Sequence, residues 1–157
     1  MGLLDSAYGI QVGQHAPDFA LPDQHGQSRR LSDLLQGGTV VLYFYPRDET
    51  PGCTAQACSF RDQHQVFHDA GAQVVGVSAD TVASHDAFAR PHRLPFVLLA
   101  DPDDVAHDLY GVDRRFGLRG RVTFIIDKGG VVRHVSANRI LATGHVSAAL
   151  KVVQALR

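Results

Sequence analysis

The run Thr39-Val-Val-Leu-Tyr-Phe-Tyr45 constrains the fold of this chain more than any other stretch. It is almost entirely β-branched or aromatic and lacks the polar alternation of a half-exposed strand, so it reads as a strand covered on both faces. Val74-Val-Gly-Val77 and Phe96 to Ala100 read the same way, and helical patterns fall after each of the three. The first helix is expected over Cys53 to Ala70, with Gly71 as its C-terminal stop and an inward stripe of Cys53, Ala57, Phe60, His64 and Phe67. The second starts at a Ser84 cap and runs through Arg90; the third spans Asp103 to Tyr110 and closes at Gly111. Ahead of the buried strand, Asp18 to Leu21 and Ser28 to Leu31 suggest a hairpin turning at Gly26. Ser32 there is expected to cap a short helical turn over Asp33 to Leu35. Arg121 to Asp127 and Val131 to Ala137 form a second hairpin across Lys128-Gly129-Gly130, and a last helix covers Gly144 to Leu156. Residues 1–16 show no period and read as an irregular arm. Helices alternating with buried strands, plus one late hairpin, predict an α/β fold with a mixed central sheet and helices on both faces.

At 157 residues the chain fits one domain, 1–157, large enough to bury a core. A net charge of −1 gives no general attraction to nucleic acid or to an anionic membrane surface. No apolar run reaches the ~18 residues of a membrane span, and the N-terminus lacks the pattern of a secretory signal. Two cysteines in such a chain favour a reducing compartment, with the cytoplasm as the expected location, where a disulfide is more often transient and catalytic than structural. Arg outnumbers Lys by 13 to 2, a bias to which no function attaches.

Both cysteines lie just after the central strand. Thr50-Pro51-Gly52-Cys53 has the order of a helix start: Thr at the N-cap, Pro at N1, Cys at N3. Unpaired backbone N–H groups and the positive end of the helix dipole favour a thiolate there, and the thiolate is the nucleophilic form. An ordinary thiol, with a pKa near 8.5, is only about 3% ionised at pH 7. Bringing such a group down to about 6 takes roughly 3.4 kcal/mol, of which a helix terminus supplies at most ~2. A cation must supply the rest, and Arg47, Arg119 and Arg121 are the candidates. Cys58 lies about 7.5 Å further along the helix axis and about 140° around it, too far for a disulfide unless the helix unwinds locally. A Cys-x-x-Cys dithiol would need far less movement. Other readings stay open on residues alone. Either cysteine could be a small buried hydrophobe. Both could join His64 and His68 at a zinc ion, although two thiols so far apart on one helix cannot both face it. The remaining histidines are scattered and most are expected at the surface, and Arg114, Arg115, Arg119 and Arg121 read as a solvated basic loop.

Pro46-x-x-x-Thr50-x-x-Cys53 matches the active-site pattern of the peroxiredoxins, and the surrounding stretch resembles the peroxiredoxin Q (bacterioferritin comigratory protein) subfamily. Val77-Ser-Ala-Asp-Thr-Val-Ala-Ser-His85, Leu94-Pro-Phe-Val-Leu-Leu-Ala-Asp101, Leu109-Tyr-Gly-Val112 and Arg121-Val-Thr-Phe-Ile-Ile-Asp127 follow in the same order, so the resemblance covers about residues 12–157. It implies a thioredoxin-like fold and a thiol peroxidase with Cys53 as the peroxidatic cysteine. Cys58 is implied to be the resolving cysteine and Arg121 the required cation. Thr50 is implied to stabilise the departing oxygen, with Pro46, Pro51 and Gly52 shaping the substrate pocket. It further implies hydrogen peroxide or organic hydroperoxides as substrates, thioredoxin or a similar dithiol protein as reductant, no cofactor or metal, and a monomer, with a dimer as the alternative. Gln56 stands where a Glu is common. A thiol-disulfide oxidoreductase of the same fold and a non-catalytic redox sensor are the competing functions.

Overall fold

The computed structural model describes residues 9–112, 114–115, 118–137 and 142–156, with the backbone alone for 114–115, 118–119 and 142–143. Residues 1–8 of the expected arm lie outside that set. A small hairpin, β1 (Ala20–Pro22) and β2 (Ser28–Arg30), leads into a short helix α1 (Leu31–Leu35). β3 (Thr39–Phe44) follows, then α2 (Pro51–Asp62), α3 (His64–Asp69), β4 (Ala72–Ser78), α4 (Val82–His92) and β5 (Val97–Ala100). α5 (Val105–Tyr110), the two-residue strands β6 (Arg114–Arg115) and β7 (Leu118–Arg119), β8 (Val122–Ile126), β9 (Val132–Ser136) and α6 (Ala142–Ala155) complete the order.

The main sheet runs β5-β4-β3-β8-β9. β3 pairs in parallel with β4, and β4 with β5, while β8 is antiparallel to both β3 and β9. β3 is therefore central, as its composition requires. Alternation along it feeds two separate cores. Val41, Tyr43 and Tyr45 face α2, α3, α4 and α6 through Cys53, Ala57, Phe60, Phe67, Phe88 and Val146. Val40, Leu42 and Phe44 face α1, α5 and the small hairpin. Gly76 makes the first core possible: a Cβ there would meet Tyr43 Cζ at 2.9 Å and Leu98 Cδ2 at 2.8 Å, so its absence lets Tyr43 lie across β4 beneath α2. Among the described residues, no helix is long and apolar enough to cross a membrane.

Four expectations need correction. The helix over 53–70 is two helices, broken at Gln63 (φ −98°, ψ 7°), where no Gly or Pro marks the sequence. The break keeps Phe60 and Phe67 both buried, with ring centroids 5.6 Å apart. Ser32 does not cap α1; it lies inside the helix, and Asp18 accepts from both its N–H (2.9 Å) and its hydroxyl (3.0 Å). Ser84 does not cap α4 either, because Thr81 holds that place and accepts from the Ser84 N–H at 3.1 Å. Finally, His85, His107 and His145 are buried. Each has a polar partner: His85 contacts Asp48, His107 contacts Asp101, and His145 contacts Thr123.

Candidate active site

The loop between β3 and α2 is fixed from below. Tyr45 donates its phenol O–H to Asp48 Oδ1 (2.6 Å), Ser84 donates to Asp48 Oδ2 (2.8 Å), and His85 Nδ1 lies 2.7 Å from Asp48 Oδ2. The far ring nitrogen, Nε2, is 2.9 Å from the Leu99 carbonyl, which can only accept, so Nε2 carries a proton. The Asp48 N–H donates to Asp80 (2.8 Å), which also accepts from Ser78 (2.6 Å). Asp48, Asp80 and His85 are close enough to hold a metal ion. Yet hydroxyls, an N–H and the imidazole already occupy both Asp48 oxygens and Asp80 Oδ2, so the cluster reads as the anchor of the loop. Neither sequence periodicity nor composition flagged it; the signal was an Asp inside the turn and a His on α4. Breaking a buried pair of this kind costs about 3–5 kcal/mol. Asp48→Ala is accordingly expected to lower the urea midpoint strongly with little change in slope, as read by equilibrium unfolding.

On this anchor the chain turns through Glu49, whose φ of +67° is unusual for a residue with a side chain, and enters α2 at Thr50. Thr50 is the N-cap and Pro51 the first helical residue, as expected. The Thr50 hydroxyl does not cap; it donates to the Arg47 carbonyl at 3.0 Å. Its proton is thus committed, and toward a bound molecule it offers a lone pair rather than the donor that was expected. Pro46 is half-buried, and Pro51 and Gly52 are exposed.

Cys53 points inward from the first turn and is 1% exposed. Arg121 Nη2 donates to its Sγ at 3.2 Å. The register that pairs Phe44 with Val122 explains the meeting, because it sets Arg121 beside the end of β3 where the loop begins. Gly52 clears the path: a Cβ there would lie 3.3 Å from Arg121 Nη2. The other terminal nitrogen of Arg121 donates to Gln56 Oε1, one turn after Cys53 on the same helix face. Gln56 is fully buried, and its Nε2, like Arg121 Nε, has no protein partner among the described residues. Among the described residues no acidic side chain pairs with the guanidinium, which leaves its charge available to sulfur. Arg47 is exposed and contributes only its carbonyl here, while the side chain of Arg119 is outside the described set. Of the basic cluster expected as a solvated loop, Arg121 is buried. Below the helix, Tyr43 stacks on Tyr45 and meets Phe60 at a tilt; burial, reinforced by Cys53 and Asp48, pushes its phenol well above the ordinary range and keeps it protonated.

Cys58 is half-buried on another side of α2, beside His92 of α4, and both cysteines are free thiols. His64 and His68 stack on each other with centroids 6.5 Å apart. The described residues bring no zinc-binding set of these histidines and the two thiols together; the metal-capable group among them is the Asp48 cluster. A buried thiol at a helix start, with a guanidinium on its sulfur, can act as a stabilised thiolate nucleophile, and a second thiol waits on the same helix.

Comparison with known proteins agrees. Residues 12–135 match the AhpC/TSA family. A chloroplastic peroxiredoxin Q of Triticum aestivum is 46% identical over 149 residues, covering 94% of this chain and 68% of the relative. That of Populus jackii is 47% identical, covering 94% and 70%. Among solved structures, peroxidoxin BcpB from Mycobacterium tuberculosis has a TM-score of 0.90 at 40% identity, covering 94% of this chain and 99% of its own. The bacterioferritin comigratory protein of Xanthomonas campestris, studied for alkyl peroxide reduction, has a TM-score of 0.83 at 29% identity, covering 95% and 98%. With its thioredoxin fold and its paired thiols, this chain belongs to the AhpC/TSA family, among the thiol peroxidases of the peroxiredoxin Q group.

Proposed function

We propose that Cys53 is the peroxidatic cysteine, that Cys58 resolves it within the same chain, and that a thioredoxin-like dithiol protein returns both to thiols. The observation that carries this reading is the 3.2 Å contact of Arg121 with the buried Cys53 sulfur at the start of α2. The Cys53 thiolate attacks the terminal oxygen of a peroxide; an S–O bond forms as the O–O bond breaks, giving a sulfenic acid and releasing water or an alcohol. Arg121 lies where charge passes from sulfur to the departing oxygen, and Thr50 accepts a hydrogen bond from the peroxide O–H, which aligns the O–O axis. Cys58 then displaces hydroxide from the sulfenic acid as water, leaving a disulfide for a dithiol partner to reduce by exchange. Pro46, Pro51 and Gly52 border the mouth through which peroxide arrives. Organic hydroperoxides are included among the substrates by analogy with the Xanthomonas relative. The reading needs no cofactor, nucleic acid or membrane. It includes a cytoplasmic location, because two cysteines suit a reducing compartment, and a monomer, with a dimer as the alternative.

Peroxide consumption with reduced thioredoxin tests the whole reading. Turnover that needs both is expected; oxidation of protein thiols without peroxide turnover would favour a thiol-disulfide oxidoreductase, and a single stoichiometric oxidation a sensor. Arg121 has its own test. A hydrogen bond to a charged group is worth about 1.5–3 kcal/mol, so Arg121→Gln should slow the reaction with peroxide about 10–100-fold. The same variant should lose ultraviolet thiolate absorbance at neutral pH. Unchanged absorbance would shift the role to another cation.

A further inference from the structure

Cys58 has a neighbour of a different kind from that of Cys53. His92 Nδ1 lies 3.9 Å from Cys58 Sγ, and both residues are half-buried. The imidazole occupies the last turn of α4, where Phe88 meets it edge-on at 5.2 Å and 67°. Arg61, one turn after Cys58 on α2, donates to the His92 carbonyl at 2.9 Å and so ties the end of α4 to α2 at this point. Its guanidinium also holds Asp62 at 3.0 Å; these are the charged groups recorded here from α2. The two thiols are therefore served differently. Cys53 has a fixed cation that suits a standing thiolate, whereas Cys58 has a group able to take a proton and give it back.

We propose that His92 is the general base for disulfide formation, accepting the Cys58 thiol proton on Nδ1 as Cys58 attacks the oxidised Cys53. The proposal rests on reading Cys58 as the resolving thiol. In the step, the Cys58 sulfur bonds to the Cys53 sulfur while the S–O bond of the sulfenic acid breaks. The Cys58 proton goes to His92, the leaving hydroxide takes a proton from solvent and departs as water, and His92 later releases its proton to solvent. The sulfenic sulfur is reduced to the disulfide level and Cys58 is oxidised to it, so no outside oxidant or reductant enters. The contacts with α4 also decide which thiol travels. Cys58 stays beside His92, and the first turn of α2, with Pro51 and Gly52 exposed, opens to carry Cys53 toward it.

Rapid quenching after one equivalent of peroxide, with a sulfenic-acid trap and mass spectrometry, separates the two chemical steps. In His92→Ala, sulfenic acid should form at the rate of the unaltered protein, while disulfide formation slows about tenfold or more. Added imidazole should restore much of that loss. His92→Gln, which can hydrogen-bond but takes no proton at neutral pH, should be equally slow. Disulfide formation at the normal rate in His92→Ala overturns the proposal. So does a slow step that imidazole leaves slow while hydrogen exchange shows the end of α4 loosened, since that is a packing effect. If the unaltered protein forms no Cys53–Cys58 disulfide at all, the reading of Cys58 fails first and the role of His92 with it.

Discussion

Replacing Cys53 by Ser should abolish the reaction with peroxide, by a factor on the order of 10⁴ or more, while Cys58→Ser should leave the first turnover intact. The difference follows from where each sulfur sits. Cys53 occupies the third position of α2, buried and held by Arg121 at 3.2 Å, whereas Cys58 is further along the same helix, half-buried, with an imidazole as its recorded partner. A serine hydroxyl in the first place is not appreciably ionised at neutral pH, so the preserved guanidinium has no nucleophile to stabilise. In the Cys58 variant the sulfenic acid forms at full rate and then lacks its internal partner. It should persist, react with added small thiols, and move on to sulfinic acid under excess peroxide. Single-turnover kinetics with mass detection of each oxidation state reads all of this. Fast first-turnover oxidation surviving in Cys53→Ser would remove Cys53 from the central role, whatever the second variant did.

Much of this site was legible because its parts lie close in sequence. Thr50, Pro51 and Cys53 announce a helix start through their own conformational preferences, and the structure places that start where they predict. Arg121 could be named as a candidate only by an energy shortfall and a resemblance, because its approach depends on the register of β3 with β8, which no local pattern encodes. Residues whose roles depend on side-chain traffic across the fold were missed. Ser84 looks like a cap because Ser favours caps; Thr81 takes that place, and the Ser84 hydroxyl is used on Asp48 instead. His85 and His107 looked like surface residues because a histidine with a buried carboxylate partner is indistinguishable, in sequence, from one in water. Gln63 breaks a helix without a Gly or Pro, and what holds the break is the burial of Phe60 and Phe67, a tertiary effect that overrides propensity.

Oxidation should melt part of α2, and the expected loss of amide protection over residues 53–60 is large, falling toward that of a frayed segment that opens freely. Geometry requires the melting. On an intact helix, two positions five residues apart are about 7.5 Å apart along the axis and face directions about 140° apart, and a disulfide wants Cα atoms within about 7 Å with converging side chains. In the structure Cys53 faces the core and Cys58 faces His92, so the thiols do point different ways. The opening costs little at the start of the helix, where the bond from Thr54 N–H to the Thr50 carbonyl (2.8 Å) is the first backbone bond of the helix. Further along, the tie from Arg61 to the His92 carbonyl holds the end of α2 against α4, so residues after 61 should keep their protection. The opened turn would expose the disulfide to a partner dithiol, and the helix regained on reduction would favour that reaction. Amide exchange on reduced and oxidised protein, with the bond verified by mass spectrometry, is the measurement. Equal protection of residues 53–60 in both states would mean that the bond had formed without opening the helix, and Cys58 would then have to come from a second chain.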